Sequence, residues 1–394
     1  MENLSTNSRS LKDEIIRILS ISGGASIADL VASTGASTPT VTKYISKLES
    51  SGIIYNSGKA GAEHGRKPNV YKITQDYGYF VGIDPKRTSL MMAMINMEGE
   101  TIKFAEVPME IENTPETIEN ICLAYDQFVA GCGVAVEKIK AVTINLSGRV
   151  NPETGESFSF FNFENQDEPL AKILSRRLCN NVIIENDTRA MAYGELYGSV
   201  KGKYKDFLFI NASWGIGMSI IIDGRIYYGK NGYSGEFGHT STFDNEIMCH
   251  CGKKGCLETE ASGKAVCSSI IEQVKNGGSS TLSALVKDGI TEKDVIAAAS
   301  NDDLMAIEAI ETCGSKIGRQ VANLINIFNP EAVIIGGTLA QAGDIFIQPI
   351  RLAARRYSLK LIIQDVDIMP SSLGSKAGVT GACLRARDAF FKGI

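Results

Sequence analysis

Ser234-Gly235-Glu236-Phe237-Gly238-His239, then nine residues, then Cys249-His250-Cys251-Gly252-Lys253-Lys254-Gly255-Cys256-Leu257-Glu258 is the stretch that decides the reading of this chain. Two of the three histidines and three of the nine cysteines fall between positions 239 and 256. Cys249 and Cys251 are one residue apart, and Cys256 sits on a turn that glycines allow to fold tightly. With one imidazole they make a Cys3His tetrahedron, the donor set of a closed structural zinc site. The fourth ligand is His239 or His250. His250 lies between two ligating cysteines, where simultaneous ligation strains the backbone, so His239 is favoured.

Outward from this cluster, the chain is 394 residues long, with 44% apolar and 22% charged residues, which excludes wholesale disorder and predicts two or three domains. Residues 1–75 carry nine Lys and Arg against six Asp and Glu, a net of +3; the total of −5 leaves −8 on 76–394. Only the N-terminal segment is therefore expected to meet a polyanion. Met1 to Ser10 has no basic-then-apolar leader pattern, and no run approaches the ~20 apolar residues of a membrane span. A cytoplasmic protein with no membrane partner is expected. The other six cysteines (122, 132, 179, 267, 313 and 383) read as small buried hydrophobes.

Leu11, Ile15, Ile18 and Leu19 recur at helical spacing up to a Ser22-Gly23-Gly24 break. Ser26 caps a second helix carrying Ile27, Leu30 and Val31, which Gly35 ends. Thr38 before Pro39 is expected to cap a third, with Val41, Ile45 and Leu48 inward and Thr40, Lys43 and Lys47 on the other side. Runs at 53–55 and 70–73 flank a glycine-rich basic loop with Arg66 and Lys67. Three helices and a hairpin make a winged helix-turn-helix over 1–75, binding DNA through Thr40, Lys43, Lys47, Arg66 and Lys67.

From Tyr79 a strand, loop, strand (89–95), Glu98-Gly99 turn and strand from Thr101 appear. The pattern returns at 207–211, 218–222 and, after Asp223-Gly224, 226–228. This duplication predicts two related α/β lobes with a ligand cleft, here 76–198 and 199–394. A strand at 333–337 and helices near 343–356 and 376–391 complete the second half, the last packing back on the first lobe. No Gly-x-x-x-x-Gly-Lys-Ser/Thr loop is present.

Gly238-His239 followed by Cys249-x-Cys251-Gly252-x-x-Gly255-Cys256-x-Glu258 resembles the signature of the ROK family, named for repressors, open reading frames and kinases. The resemblance runs over the whole chain, and the head is similar to the repressor branch. It implies an actin-like, hexokinase-like, ribonuclease H-type two-lobed body, with zinc on His239, Cys249, Cys251 and Cys256. It also implies sugar contacts from Asn186, Asp187, Glu236, His239 and Glu258, with Asp187 at the position of the kinase base. Family kinases resemble Asp-x-Gly-Gly-Thr after the first strand and Gly-Thr-Gly-Ile-Gly in the second hairpin. Here those stretches are Asp84-Pro85-Lys86-Arg87-Thr88 and Ser213-Trp214-Gly215-Ile216-Gly217. Pro85 lacks an N–H, and side chains replace phosphate-cradling glycines. Gly336-Gly337, similar to the adenosine-side turn, remains, and Lys86 and Arg87 keep the charge to meet phosphate. The expectation is a sugar-responsive transcriptional regulator without kinase activity, binding operator DNA and a monosaccharide or sugar derivative as a homodimer or higher oligomer. The alternative is an ATP-dependent sugar kinase carrying a DNA-binding head.

Overall fold

The structure, a computed structural model, describes residues 10–59, 68–163, 167–287 and 289–392. The head is built from α1 (Leu11–Ser22), α2 (Ile27–Thr34) and α3 (Thr38–Ser50), with β1 (Ala25–Ser26), β2 (Ile54–Lys59) and β3 (Asn69–Ile73) in the antiparallel order β1-β3-β2. Ile15, Leu19, Leu30, Val41, Ile45 and Leu48 are all buried, so the three apolar stripes close one small core. Gly23 ends α1 in the left-handed region at φ 70°, which a β-carbon would penalise. Ser26 starts α2 with a full capping box: Asp29 N donates to Ser26 Oγ, and Ser26 N donates to Asp29 Oδ2 at 2.9 Å. These bonds hold the Asp29 carboxyl below its ordinary value, chiefly through the Ser26 backbone donor.

The cap of α3 differs from the sequence reading. Ser37, extended at φ −68° and ψ 148°, is the cap, while Thr38 and Pro39 already belong to the first turn. The Ser37 hydroxyl accepts no backbone amide and pairs instead with Thr40 Oγ1 at 2.8 Å, while the Ser37 carbonyl accepts from Val41 N at 3.0 Å. Either register satisfies the proline, so Pro39 alone could not choose between them.

The chain divides into two compact units, one of 1–185 with 382–394, which includes the head, and one of 186–381. The first continues with β4 (Tyr79–Pro85), β5 (Ser89–Asn96), β6 (Thr101–Pro108), α4 (Pro115–Ala130), β7 (Ile139–Leu146), β8 (Val150–Asn151), β9 (Glu156–Ser157), α5 (Leu170–Arg177) and β10 (Val182–Asn186). The second holds α6 (Asp187–Tyr197), β11 (Phe207–Ala212), β12 (Ile216–Ile222), β13 (Arg225–Ile226), α7 (Glu258–Ala261), α8 (Gly263–Lys275), α9 (Glu292–Ser300), α10 (Leu304–Phe328), β14 (Ala332–Gly336), α11 (Asp344–Tyr357), α12 (Lys360–Ile363) and β15 (Asp367–Pro370). A last helix, α13 (Ala377–Lys392), begins in the second unit and ends in the first.

The expected duplication is written in the sheets. One runs β10-β7-β4-β5-β6 and the other β15-β14-β11-β12-β13, so the two match strand for strand. In each, the first strand (β4 or β11) pairs antiparallel with its hairpin partner and parallel with the strand that returns after a helix. β11 and β14 are buried along their whole length, as strands covered on both faces must be. α10 places Ile310, Cys313, Ile317, Val321 and Ile325 on one stripe against that second sheet's core.

Two details correct the sequence reading. The third strand of the second unit is only Arg225–Ile226; Tyr227 and Tyr228 have left the sheet. Of the six scattered cysteines, Cys122, Cys267, Cys313 and Cys383 are buried, but Cys132 is half-buried and Cys179 exposed. Cys179 sits at φ 49° on the turn before β10, a position set by the backbone and not by packing.

Candidate functional site

Three segments of the second unit meet on the first residues of β12. The N-terminus of α6 is one: a Cβ on Gly217 would lie 3.1 Å from Thr188 Cβ and closer still to its hydroxyl. The 232–238 segment is another, since Cβ atoms on Gly235 and Gly238 would strike the carbonyl groups of Met218 and Ile216. Glu258 completes the set by accepting from Ile216 N at 2.9 Å, with its carboxylate against Gly215. At Gly235 the backbone also needs φ 90°, so glycine is required there twice over.

On this frame Asn186 caps α6, accepting from Arg189 N at 3.0 Å. Asp187 turns its Oδ1 to Thr188 N at 2.7 Å and is half-buried. Glu236 is exposed, and Glu258 is nearly enclosed. His239 directs Nε2 towards Glu236 Oε2 at 3.9 Å and Nδ1 towards Cys249 Sγ at 3.5 Å. One ring thus addresses a carboxylate with one nitrogen and the sulfur cluster with the other.

The ligand atoms of His239, Cys249, Cys251 and Cys256 lie within 4.8 Å of one another. Tetrahedral zinc with ordinary bond lengths demands S···S edges of about 3.8 Å and S···N edges of about 3.6 Å. Cys251 Sγ and Cys256 Sγ are 3.6 Å apart, and Cys249 Sγ lies 3.5 Å from His239 Nδ1. The donor set fits such an ion. Backbone bonds hold the loop independently: Cys249 N donates to Lys253 O at 2.8 Å, and Phe243 N donates to Gly255 O at 3.0 Å. Without a cation, burial pushes the Cys256 thiol up to about 12 and raises Cys249. For Cys251 burial also opposes ionisation, but the Lys253 N–H and the neighbouring thiols outweigh it and lower the value. A bound divalent cation deprotonates all three. His250 turns outward to Glu258 Oε1 at 3.1 Å and stays 3.9 Å from Cys249 Sγ, so the alternative fourth ligand is engaged elsewhere.

Residues that sequence reasoning missed knit the site together. Asn211 donates to Thr188 Oγ1 at 3.0 Å, Ser213 donates to Asn211 Oδ1 at 2.8 Å, and Thr338 N donates to Ser213 Oγ at 3.0 Å. This relay joins the start of α6 to the Gly336-Gly337 turn. Arg189, buried on α6, donates to Gly232 O at 2.6 Å and stacks over Tyr228 at 5.2 Å. It ties the Glu236 loop to the helix that begins with Asp187. The available signal is an arginine in the first turn of the helix that Asn186 caps, where a positive charge opposes the helix dipole.

In the first unit, the 84–88 turn is drawn tight. Lys86 N donates to Ser89 O at 2.7 Å, and Lys86 Nζ lies 2.7 Å from Oδ2 of Asp84, whose side chain is fully buried. Asn145 donates to the other carboxylate oxygen at 3.0 Å. Lys86 thus lies against a buried carboxylate and balances its charge. In the head, Thr40, Lys43 and Lys47 are exposed together along α3. Arg66 and Lys67 lie outside the described residues.

Comparison with known proteins places this architecture. The ROK family model matches residues 80–389, and a winged helix-turn-helix DNA-binding model matches residues 12–55. The chain belongs to the ROK family. It is 30% identical to the xylose repressor of Caldicellulosiruptor bescii over 87% of this chain and 86% of that one. It is 31% identical to a glucokinase of Halalkalibacterium halodurans over 77% of this chain and 93% of that one. A solved ROK transcriptional regulator, described as a homologue of the Escherichia coli MLC protein, superposes with a TM-score of 0.81 at 25% identity, covering 97% of this chain and 96% of that one. The regulator match covers nearly the whole chain and the repressor match reaches into the head, whereas the glucokinase match covers a share of the chain close to that of the ROK body alone. Among the described residues no helix is long and apolar enough to cross a membrane.

Proposed function

We propose that this ROK protein is a sugar-responsive transcriptional regulator whose body grips a monosaccharide or sugar derivative and whose head, residues 1–75, grips operator DNA. The observation that carries the reading is the His239 geometry, one nitrogen towards the sulfur cluster and the other towards Glu236. A structural zinc on His239, Cys249, Cys251 and Cys256 holds that ring, and through it the loop that reads sugar hydroxyls with Asn186, Asp187, Glu236, His239 and Glu258. When bound, the ion supplies rigidity and sets the tautomer of the imidazole. Carboxylates accept from vicinal hydroxyls, and the Asn186 amide donates.

Asp187 holds the position of a kinase base but acts as a ligand contact. The Lys86–Asp84 pair, Pro85 and Trp214 remove the backbone donors and the charge arrangement that a triphosphate needs. Thr40, Lys43 and Lys47 on α3, with Arg66 and Lys67 of the wing, meet phosphates and base edges. The regulator works as a homodimer on a two-fold operator, in the cytoplasm. Sugar acts by binding one arrangement of the protein better than another. A thermal-shift panel of monosaccharides, sugar phosphates and N-acetylated sugars tests the reading, because a ligand raises the melting temperature by mass action. Selective stabilisation by one sugar is expected. Phosphoryl transfer from ATP to that sugar at roughly 1–100 per second would overturn it in favour of a kinase.

A further inference from the structure

α13 (Ala377–Lys392) begins in the second unit, ends in the first, and makes contacts within each. Its first residues pack on α6 backbone to backbone: a Cβ on Gly194 would lie 2.6 Å from Ala377 O, and one on Gly381 would lie 2.9 Å from Gly194 N. α6 begins at Asp187, so the helix that opens the sugar-contact pair is gripped directly. Four residues further along α13, Arg385 Nε lies 3.5 Å from Glu185 Oε2, and both side chains are almost wholly buried. Glu185 immediately precedes Asn186 on β10.

The rest of α13 is seated in the first unit. Cys383 Sγ donates to Ala93 O at 3.3 Å, and Phe390 and Phe391 pack tilted against Phe80, with ring centroids 5.6 and 6.2 Å away. Arg387 covers the β5–β6 turn so closely that a Cβ on Gly99 would lie 2.5 Å from its Nη1. That turn is rigid, because Asn96 Oδ1 accepts from both Glu98 N and Glu100 N at 3.0 Å. It is also bonded to the segment that leaves the head: Met97 N donates to Gln75 O at 3.2 Å, and Gln75 Nε2 donates to Glu98 Oε2 at 2.6 Å. Gln75 follows β3 by two residues, and Thr74 N still bonds to Ile53 O of the head at 2.9 Å.

We propose that Arg387 and Gln75 are positioning residues through which α13 transmits occupancy of the Asn186-Asp187 site to the winged helix. The inference rests on the sugar-responsive reading above and adds the route. Side chains packed in this way have few discrete arrangements, so a shift at one end repositions the other. A perturbation along the route tests the coupling.

The test uses the full chain, a DNA duplex selected in vitro by the native protein, and glucose, xylose and N-acetylglucosamine as probe sugars. Arg387→Ala and Gln75→Ala are measured singly and together. Gln75 is exposed, so its variant folds even if the arginine variant is unstable. Both variants should bind the stabilising sugar, and the duplex without sugar, within about threefold of native. The sugar-induced change in duplex affinity, about 5–150-fold in a typical coupled system, should shrink to less than about twofold. The double variant should lose no more than either single one. A full sugar response in Gln75→Ala or Arg387→Ala, with or without a lower melting temperature, overturns the route alone. A native protein whose duplex affinity ignores all three sugars overturns the underlying reading as well.

Discussion

Gly381→Ala is the substitution whose consequence follows most directly from the packing. Both Gly381 and Gly194 lie inside helices, where glycine costs about 1 kcal/mol relative to alanine. On propensity alone each alanine variant should therefore gain about that much. The crossing reverses the sign. A Cβ on Gly381 would sit 2.6 Å from the carbonyl carbon of Ala190 and closer still to its oxygen. A relaxed C···O contact is about 3.3 Å or more, so α6 and α13 must separate by roughly an ångström or beyond. Overpacking of a close core typically costs about 1–3 kcal/mol, and here the obstacle is backbone, which yields least. A net loss of about 1–2 kcal/mol is expected for Gly381→Ala. Gly194→Ala should lose less, because its nearest obstacle, Ala377 O, is 2.6 Å away. Urea unfolding with a fixed m-value checks the ranking, and sugar affinity should fall in parallel as Asp187 is displaced. Equal or higher stability of Gly381→Ala would refute the close crossing and the positioning argued from it.

Three further outcomes are expected. Cys256→Ser should release zinc, measured by atomic absorption on reduced protein, and weaken sugar binding; unchanged metal content would contradict the ligand set. Lys43→Glu should weaken duplex binding and lower the slope of log affinity against log salt by about 1 for each phosphate no longer neutralised, with sugar binding intact. An unchanged slope would mean that another helix meets DNA. Asp303 caps α10 and accepts from Thr281 N at 2.6 Å, Thr281 Oγ1 at 2.7 Å, Ser280 Oγ at 2.8 Å and Ala306 N at 3.1 Å. Burial alone would raise its pKa, but these donors outweigh it and hold the value at about 2 against the ordinary 3.8. A depressed folded pKa stabilises above the unfolded value and loses that stabilisation as pH falls from 3.8 towards 2. Asp303→Asn should therefore cost about 2 kcal/mol at neutral pH, and the gap to native should close in acid. A gap independent of pH would contradict the assignment.

Much of this architecture is legible in the sequence because local rules and the global fold agree. The head helices follow from the spacing of Leu11, Ile15, Leu30, Val41 and Ile45, and the duplicated sheets from two similar hairpins. The 239–256 loop announces itself because it gathers two of the three histidines and three of the nine cysteines. What escaped is non-local. β1 is two residues long and exists only through its pairing with Tyr71 and Val70, so it has no periodicity to detect. Thr188, Asn211 and Ser213 are ordinary polar residues far apart in sequence, and their relay appears only when β11 and α6 are packed. The Lys86–Asp84 pair was hidden for the opposite reason. A lysine on a turn reads as solvated or phosphate-facing until a fully buried carboxylate is found beside it.

The most direct measurement is fluorescence anisotropy of the selected duplex, titrated with native protein with and without the stabilising sugar and with and without Mg-ATP. A sugar effect of at least about fivefold that ATP neither produces nor abolishes is the outcome expected of a retained carbohydrate site wired to a DNA head. Duplex affinity indifferent to sugar, with sugar consumed whenever ATP is present, would contradict it.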